Sequence, residues 1–119
     1  MRAVDWILRT EAVAIFVAGV VGYLQLGGEP WWLLVLLLVP DVSMLGYLGS
    51  PRLGALTYNL VHNLVIGLGA LAIGWFAAIA PLAIAGSVLV AHVGMDRSLG
   101  YGLKLPTDVK DTHLGRIGR

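Results

Sequence analysis

The chain has 119 residues, enough for one domain; 58% are hydrophobic and only 13% charged, with a mean hydropathy of +0.84. A soluble domain covers its surface with roughly a quarter charged residues, so an ordinary water-soluble globule is excluded, and a net charge of +1 offers no basic face to nucleic acid. The absence of cysteine excludes disulfides and thiolate metal sites.

A membrane-crossing helix needs about 20 mostly apolar residues, and four segments meet that need. The first runs over about 6–26, and acidic residues mixed into its basic flank, with no small-x-small cleavage pattern, make it a retained span rather than a leader. Gly27-Gly28-Glu29-Pro30 breaks it. The second covers about 31–48, opening on Trp31-Trp32, and ends at Gly49-Ser50-Pro51. The third covers about 52–76 and the fourth about 81–99; from Leu53 to Met95 there are 43 residues without Lys, Arg, Asp or Glu. Residues 105–119 form a polar tail. The fold class expected is all-α, a four-helix bundle in the membrane with a cytoplasmic tail.

Orientation follows from the basic residues. Arg2, Arg9, Arg52, Arg97, Lys104, Lys110, Arg116 and Arg119 all fall on the side of the termini and the 49–52 turn. The excess of Lys and Arg on cytoplasmic loops then places both termini inside, in a bacterial inner membrane. Trp31, Trp32 and Trp75 fall at the opposite interface, Tyr47 and Tyr101 at the inner one. Small residues recur at four-residue spacing, at Ala14, Ala18 and Gly22, at Ala70 and Gly74, and at Ala83, Ser87 and Ala91. Such strips let helices approach closely.

Ionisable side chains inside spans are costly and mark function. Here they are Glu11, Asp41, His62, His92 and Asp96, accompanied by Asn59 and Asn63. His92 and Asp96 are four apart and share a helix face. Pro40 precedes Asp41 and opens space in its helix. Counting ~1.5 Å per residue from the inner face puts His92 about 9 Å deep, Asp41 and Asn59 about 14 Å, and His62 about 18 Å. All lie in the inner half or near the midplane, as one cytoplasm-facing polar cavity requires.

Imidazole nitrogens and carboxylate oxygens suit a divalent ion such as zinc, manganese or iron. Asp41, His62, His92 and Asp96 are the expected metal ligands. Glu11 is the expected general base, and Asn59 and Asn63 are expected to orient ligands or substrate. Asp111 and His113 could add ligands by folding back, although a solvated tail is the simpler expectation.

The strings Pro40-Asp41-Val42-Ser43-Met44-Leu45-Gly46-Tyr47, Tyr58-Asn59-Leu60-Val61-His62-Asn63, Ala91-His92-Val93-Gly94-Met95-Asp96-Arg97, Gly100-Tyr101-Gly102-Leu103-Lys104 and Asp111-Thr112-His113-Leu114-Gly115 resemble a family of small bacterial four-span membrane proteins known only as a domain of unknown function. The resemblance covers nearly the whole chain and implies membrane location and this chain plan, with no activity attached. A looser similarity runs to membrane-bound metal-dependent hydrolases, whose fuller histidine set the chain lacks.

Four functions are compatible with these residues: a metal-dependent hydrolase acting on a lipid or other amphiphile; a small dimeric proton-coupled transporter; a b-type haem protein with His62 and His92 as axial ligands; and an accessory or structural subunit. The partners expected are membrane lipid and a second copy of the chain.

Overall fold

A computed structural model describes residues 2–118. Helix α1 spans Ala3–Gln25, α2 Pro30–Leu36, a 3-10 helix Val39–Leu48, α3 Pro51–Val61, α4 Leu64–Phe76 and α5 Ala80–Ser98. A short hairpin of β1 (Asp111–Thr112) and β2 (Gly115–Arg116) follows. The architecture is all-α but for this hairpin. Large apolar side chains cover the outside, Leu34, Leu48, Val65, Phe76 and Trp75 among them. The core is made of small residues and a few polar ones. A soluble protein does not display so large an apolar surface.

Three helical stretches are long and apolar enough to cross a membrane: Ala3–Gln25, Pro30–Leu48 and Pro51–Phe76. The fourth expected span, α5, has the length but not the apolarity, because His92, Asp96 and Arg97 occupy its end. It is the middle of the bundle, packed on α1 and on α4, so much of its surface meets protein instead of lipid.

Close packing rests on missing side chains. A Cβ at Gly19 or Gly94 on the α1–α5 contact would collide with the backbone of Ala91 or Phe16, and one at Gly74 on the α4–α5 contact with that of Ala83. The expected strip Ala83, Ser87 and Ala91 on α5 is buried throughout. On α1 only Gly22 of the expected strip meets α5, at Ser87. Ala14 and Ala18 are exposed, and the packed face is Ala12, Gly19 and Tyr23.

The second and third spans are not the continuous helices expected. Pro40 has no amide hydrogen to donate, and the second span changes there from α-helix to 3-10 helix. The third breaks at His62 and Asn63. The Asn63 side chain serves both broken ends: Nδ2 donates to the carbonyl of Asn59 at 2.8 Å, and Oδ1 accepts from the Ile66 amide at 3.0 Å. Thr57 Oγ1 donates to the Ser43 carbonyl at 2.6 Å and ties α3 to the 3-10 helix.

Helix α5 ends in a Schellman turn. Gly100 takes the left-handed conformation at φ +91°, and the Tyr101 amide donates back to the Asp96 carbonyl at 2.7 Å. The tail thereby turns back on the helices. It is folded, not merely solvated: Lys104 bridges to Thr112, and the His113 amide donates to the Leu103 carbonyl at 3.0 Å.

Candidate metal centre

Both helix breaks and the end of α5 lie around one point. Asp41 comes from the 3-10 helix, just after Pro40. His62 comes from the α3–α4 break, and His92 and Asp96 from successive turns of α5. One ligand atom from each of the four lies within 4.8 Å of the others.

The separations have the proportions of a coordination shell. His62 Nε2 is 3.0 Å from His92 Nε2, 3.3 Å from Asp41 Oδ1 and 3.7 Å from Asp96 Oδ2. His92 Nε2 is 3.2 Å from Asp41 Oδ1 and 3.1 Å from Asp96 Oδ2. Ligands held 2.0–2.1 Å from a tetrahedral zinc stand about 3.3 Å apart. Five edges of the four-atom figure cluster around that length.

The tautomers follow from the other ring nitrogens. His62 Nδ1 faces the Tyr58 carbonyl at 2.9 Å, and His92 Nδ1 faces the Leu37 carbonyl. A carbonyl only accepts, so each Nδ1 carries the hydrogen, and each Nε2 of a neutral ring presents a lone pair. With both rings neutral, two such lone pairs and two carboxylate oxygens converge with no donor hydrogen between them. That arrangement calls for positive charge at its centre, and backbone carbonyls behind histidine ligands are the usual orienting partners in metal sites.

The surroundings hold the four in place. His62 and His92 are buried, and Asp96 is nearly so. The Tyr58 hydroxyl donates to Asp96 Oδ2 at 3.2 Å, and its ring stacks on that of His62 at 3.7 Å. Arg97 Nη2 donates to the His62 carbonyl at 3.2 Å. Asp41 alone is half exposed, with 45% of its side chain accessible. It opens on a cavity of about 280 Å³ lined by Asp41, Met44, Tyr58, Asp96, Tyr101, Lys104, Val109, Lys110 and Ile117. The tail forms the far wall. Side chains three apart eclipse on a 3-10 helix, so Asp41 and Met44 face this cavity while Pro40 and Ser43 face a separate apolar groove of about 760 Å³.

A family model matches residues 5–117. The chain belongs to DUF4260, a domain of unknown function. No curated protein and no solved structure matches this DUF4260 chain, and nothing supports the looser hydrolase likeness.

The fold therefore assembles all four expected ligands. It does not bring Glu11 to them: that side chain is exposed on α1, above a groove shared with Arg97 and His113. Neither asparagine side chain bonds directly to those of the cluster. Asn63 caps helices, and Asn59 binds the Lys104 backbone, accepting from its amide at 2.7 Å and donating to its carbonyl at 2.8 Å. Asp111 and His113 stay outside the cluster, with Asp111 accepting from Thr107 and Arg116 and His113 Nδ1 from the Leu103 amide. The expected 9 Å depth difference between the histidines fails as well. Residue counting treats the third span as one straight rod, whereas α3 packs on the 3-10 helix and α4 on α5. Nitrogens 3.0 Å apart leave no space for a macrocycle between them, so the axial haem arrangement does not fit.

Sequence reasoning missed Tyr58 and Lys104. Tyr58 was detectable, since it sits four residues before His62 on one helix face. Lys104 was not, because only the Schellman turn returns it to the site.

Proposed function

We propose that the chain is a small four-span protein of the bacterial inner membrane, with both termini cytoplasmic, that holds one divalent ion at Asp41, His62, His92 and Asp96 and hydrolyses an amphiphile beside it. The observation that carries this reading is the convergence of two imidazole Nε2 atoms and two carboxylate oxygens at shell-like spacing. Membrane insertion is supported by the three long apolar helices and the apolar exterior. The orientation is supported by Arg2, Arg9 and Arg97, which line one pocket at the end of the bundle where the tail lies.

His62, His92 and Asp96 are the buried anchors of the shell. These residues would hold zinc, manganese or iron, with Asp41 on the cavity side. When bound, the ion supplies Lewis acidity and lowers the pKa of a water toward neutrality. Asp41 is the half-exposed carboxylate on that side, and the oxygen it keeps outside the cluster would accept the proton of an attacking water, the role sequence reasoning gave to Glu11. Hydrolysis then places the hydroxyl on the electrophilic centre and returns the proton to the leaving oxygen.

Elemental analysis of detergent-purified protein tests the centre. One equivalent of divalent metal is expected in the wild type, and a background level in Asp41→Ala and His62→Ala. A wild type that carries no metal after zinc loading and desalting ends this reading.

The two broken helices favour a second one, since discontinuous spans line ion sites in transporters. Proton-coupled flux into liposomes that disappears in Asp41→Asn would support it, and activity without flux would remove it.

A further inference from the structure

The cavity holds a cation that the metal shell does not use. Lys104 is 6% exposed, with Nζ 5.0 Å from the centre of the Tyr58 ring. It makes no ion pair with any described residue. An ammonium near a membrane surface ordinarily snorkels into water. Here the two Asn59 hydrogen bonds grip its backbone and keep it in the cavity wall. The Tyr58 ring face eases the burial of the ammonium but does not neutralise it, and a buried charge without a counter-ion at pairing distance is expensive, so the charge is kept for something that enters the cavity.

We propose that this cavity is a phosphate-binding site, in which Lys104, positioned by Asn59, receives the non-bridging oxygens of a phosphate ester whose other face turns to the Asp41–Asp96 cluster. The inference rests on the metal reading in one respect. Asp41 and Asp96 on the same wall would repel an anion, and a divalent ion between them cancels their charge and leaves that of the two lysines. A divalent ion, Lys104 and the exposed Lys110 together match a doubly charged tetrahedral oxyanion better than a singly charged carboxylate. The phosphate is either inorganic or the head of a lipid. In the second case the apolar groove on the opposite face of the same 3-10 helix lies within reach of its chain.

The test is equilibrium dialysis of radiolabelled inorganic phosphate against the zinc-loaded full chain in detergent, with metal content measured in every sample. Saturable binding is expected in the wild type. Lys104→Met should weaken it about ten-fold or more at unchanged metal content. Lys104→Arg should retain most of it, which also shows that the position tolerates change. Asn59→Ala should fall between, again with its metal intact. Equal affinity in wild type and Lys104→Met, or no saturable binding in the wild type, overturns the phosphate site and leaves the metal centre standing. If the wild type holds no metal, the metal reading falls, and the same comparison in metal-free protein decides the phosphate site alone. Competition then identifies the source: a short-chain phosphatidic acid competing at least about ten-fold better than inorganic phosphate assigns a lipid head, and equal competition assigns the free ion.

Discussion

Tyr58 shows how much of the centre depends on a residue that binds no metal. Its hydroxyl holds Asp96 and its ring backs His62, so two ligands from different helices share one support. Orienting partners of this kind are worth about 10–100-fold in metal affinity. Tyr58→Phe keeps the stacking and removes the hydrogen bond, so zinc affinity measured with a chelating indicator should fall within that range. Lys104 carries a pH signature. Burial lowers its ammonium below the ordinary lysine value, against the opposing pull of Asp96 and Asp41. Burial favours the neutral form and an anion needs the charged one. Phosphate affinity should therefore decline with rising pH before an ordinary lysine would lose its proton, near pH 10.4. Lys104→Arg should abolish that decline, since arginine stays charged throughout. The four ligands were legible in the sequence because charge inside an apolar run is conspicuous. Glu11 was equally conspicuous and went astray, since a residue near a span end reveals nothing of the direction in which its helix face points.

At the level of the helices, the two breaks are what the pattern of apolar residues concealed. A hydropathy run reports that a segment is apolar, not that it is one helix, and 52–76 reads as continuous. The signal was present in Asn63, a preferred N-cap residue followed by an apolar run. Asn63→Ala removes the cap of α4 and leaves the Ile66 amide unpaired. It should cost about 1–2 kcal/mol, read as a lower midpoint of denaturation in detergent. Asn63→Asp retains the acceptor and should recover most of the loss. Metal affinity should drop in the alanine variant also, because His62 occupies the break that Asn63 holds. The Schellman turn at Gly100 could be anticipated as a helix stop from its glycine. Its direction could not, and direction is what delivers Lys104.

Over the whole molecule, packing and topology make separate predictions. Gly94 has no room for a side chain against the Phe16 backbone. Gly94→Leu should separate α1 from α5 at a cost of about 3 kcal/mol or more, the upper end for overpacking, and reduce the yield of monodisperse protein. The absence of native cysteine makes topology simple to map. In intact cells, a membrane-impermeant maleimide should label Glu29→Cys, at an exposed position, and leave Ser50→Cys unlabelled; the reverse result would invert the proposed orientation. The apolar, helical character of the chain could be read directly from hydropathy, since that is a sum along the chain. Which helix lies in the middle could not, since it depends on which glycines face which backbones.

That middle helix also follows all the helices it packs against in chain order. Until Ser98 has emerged from the ribosome, α1 and α4 have none of the partner surface that fills their glycine faces. Two of the four ligands, His92 and Asp96, arrive with the same segment. The 3-10 helix and α3 can pair without it, but closure of the bundle around α5 and completion of the four-residue cluster are a single event.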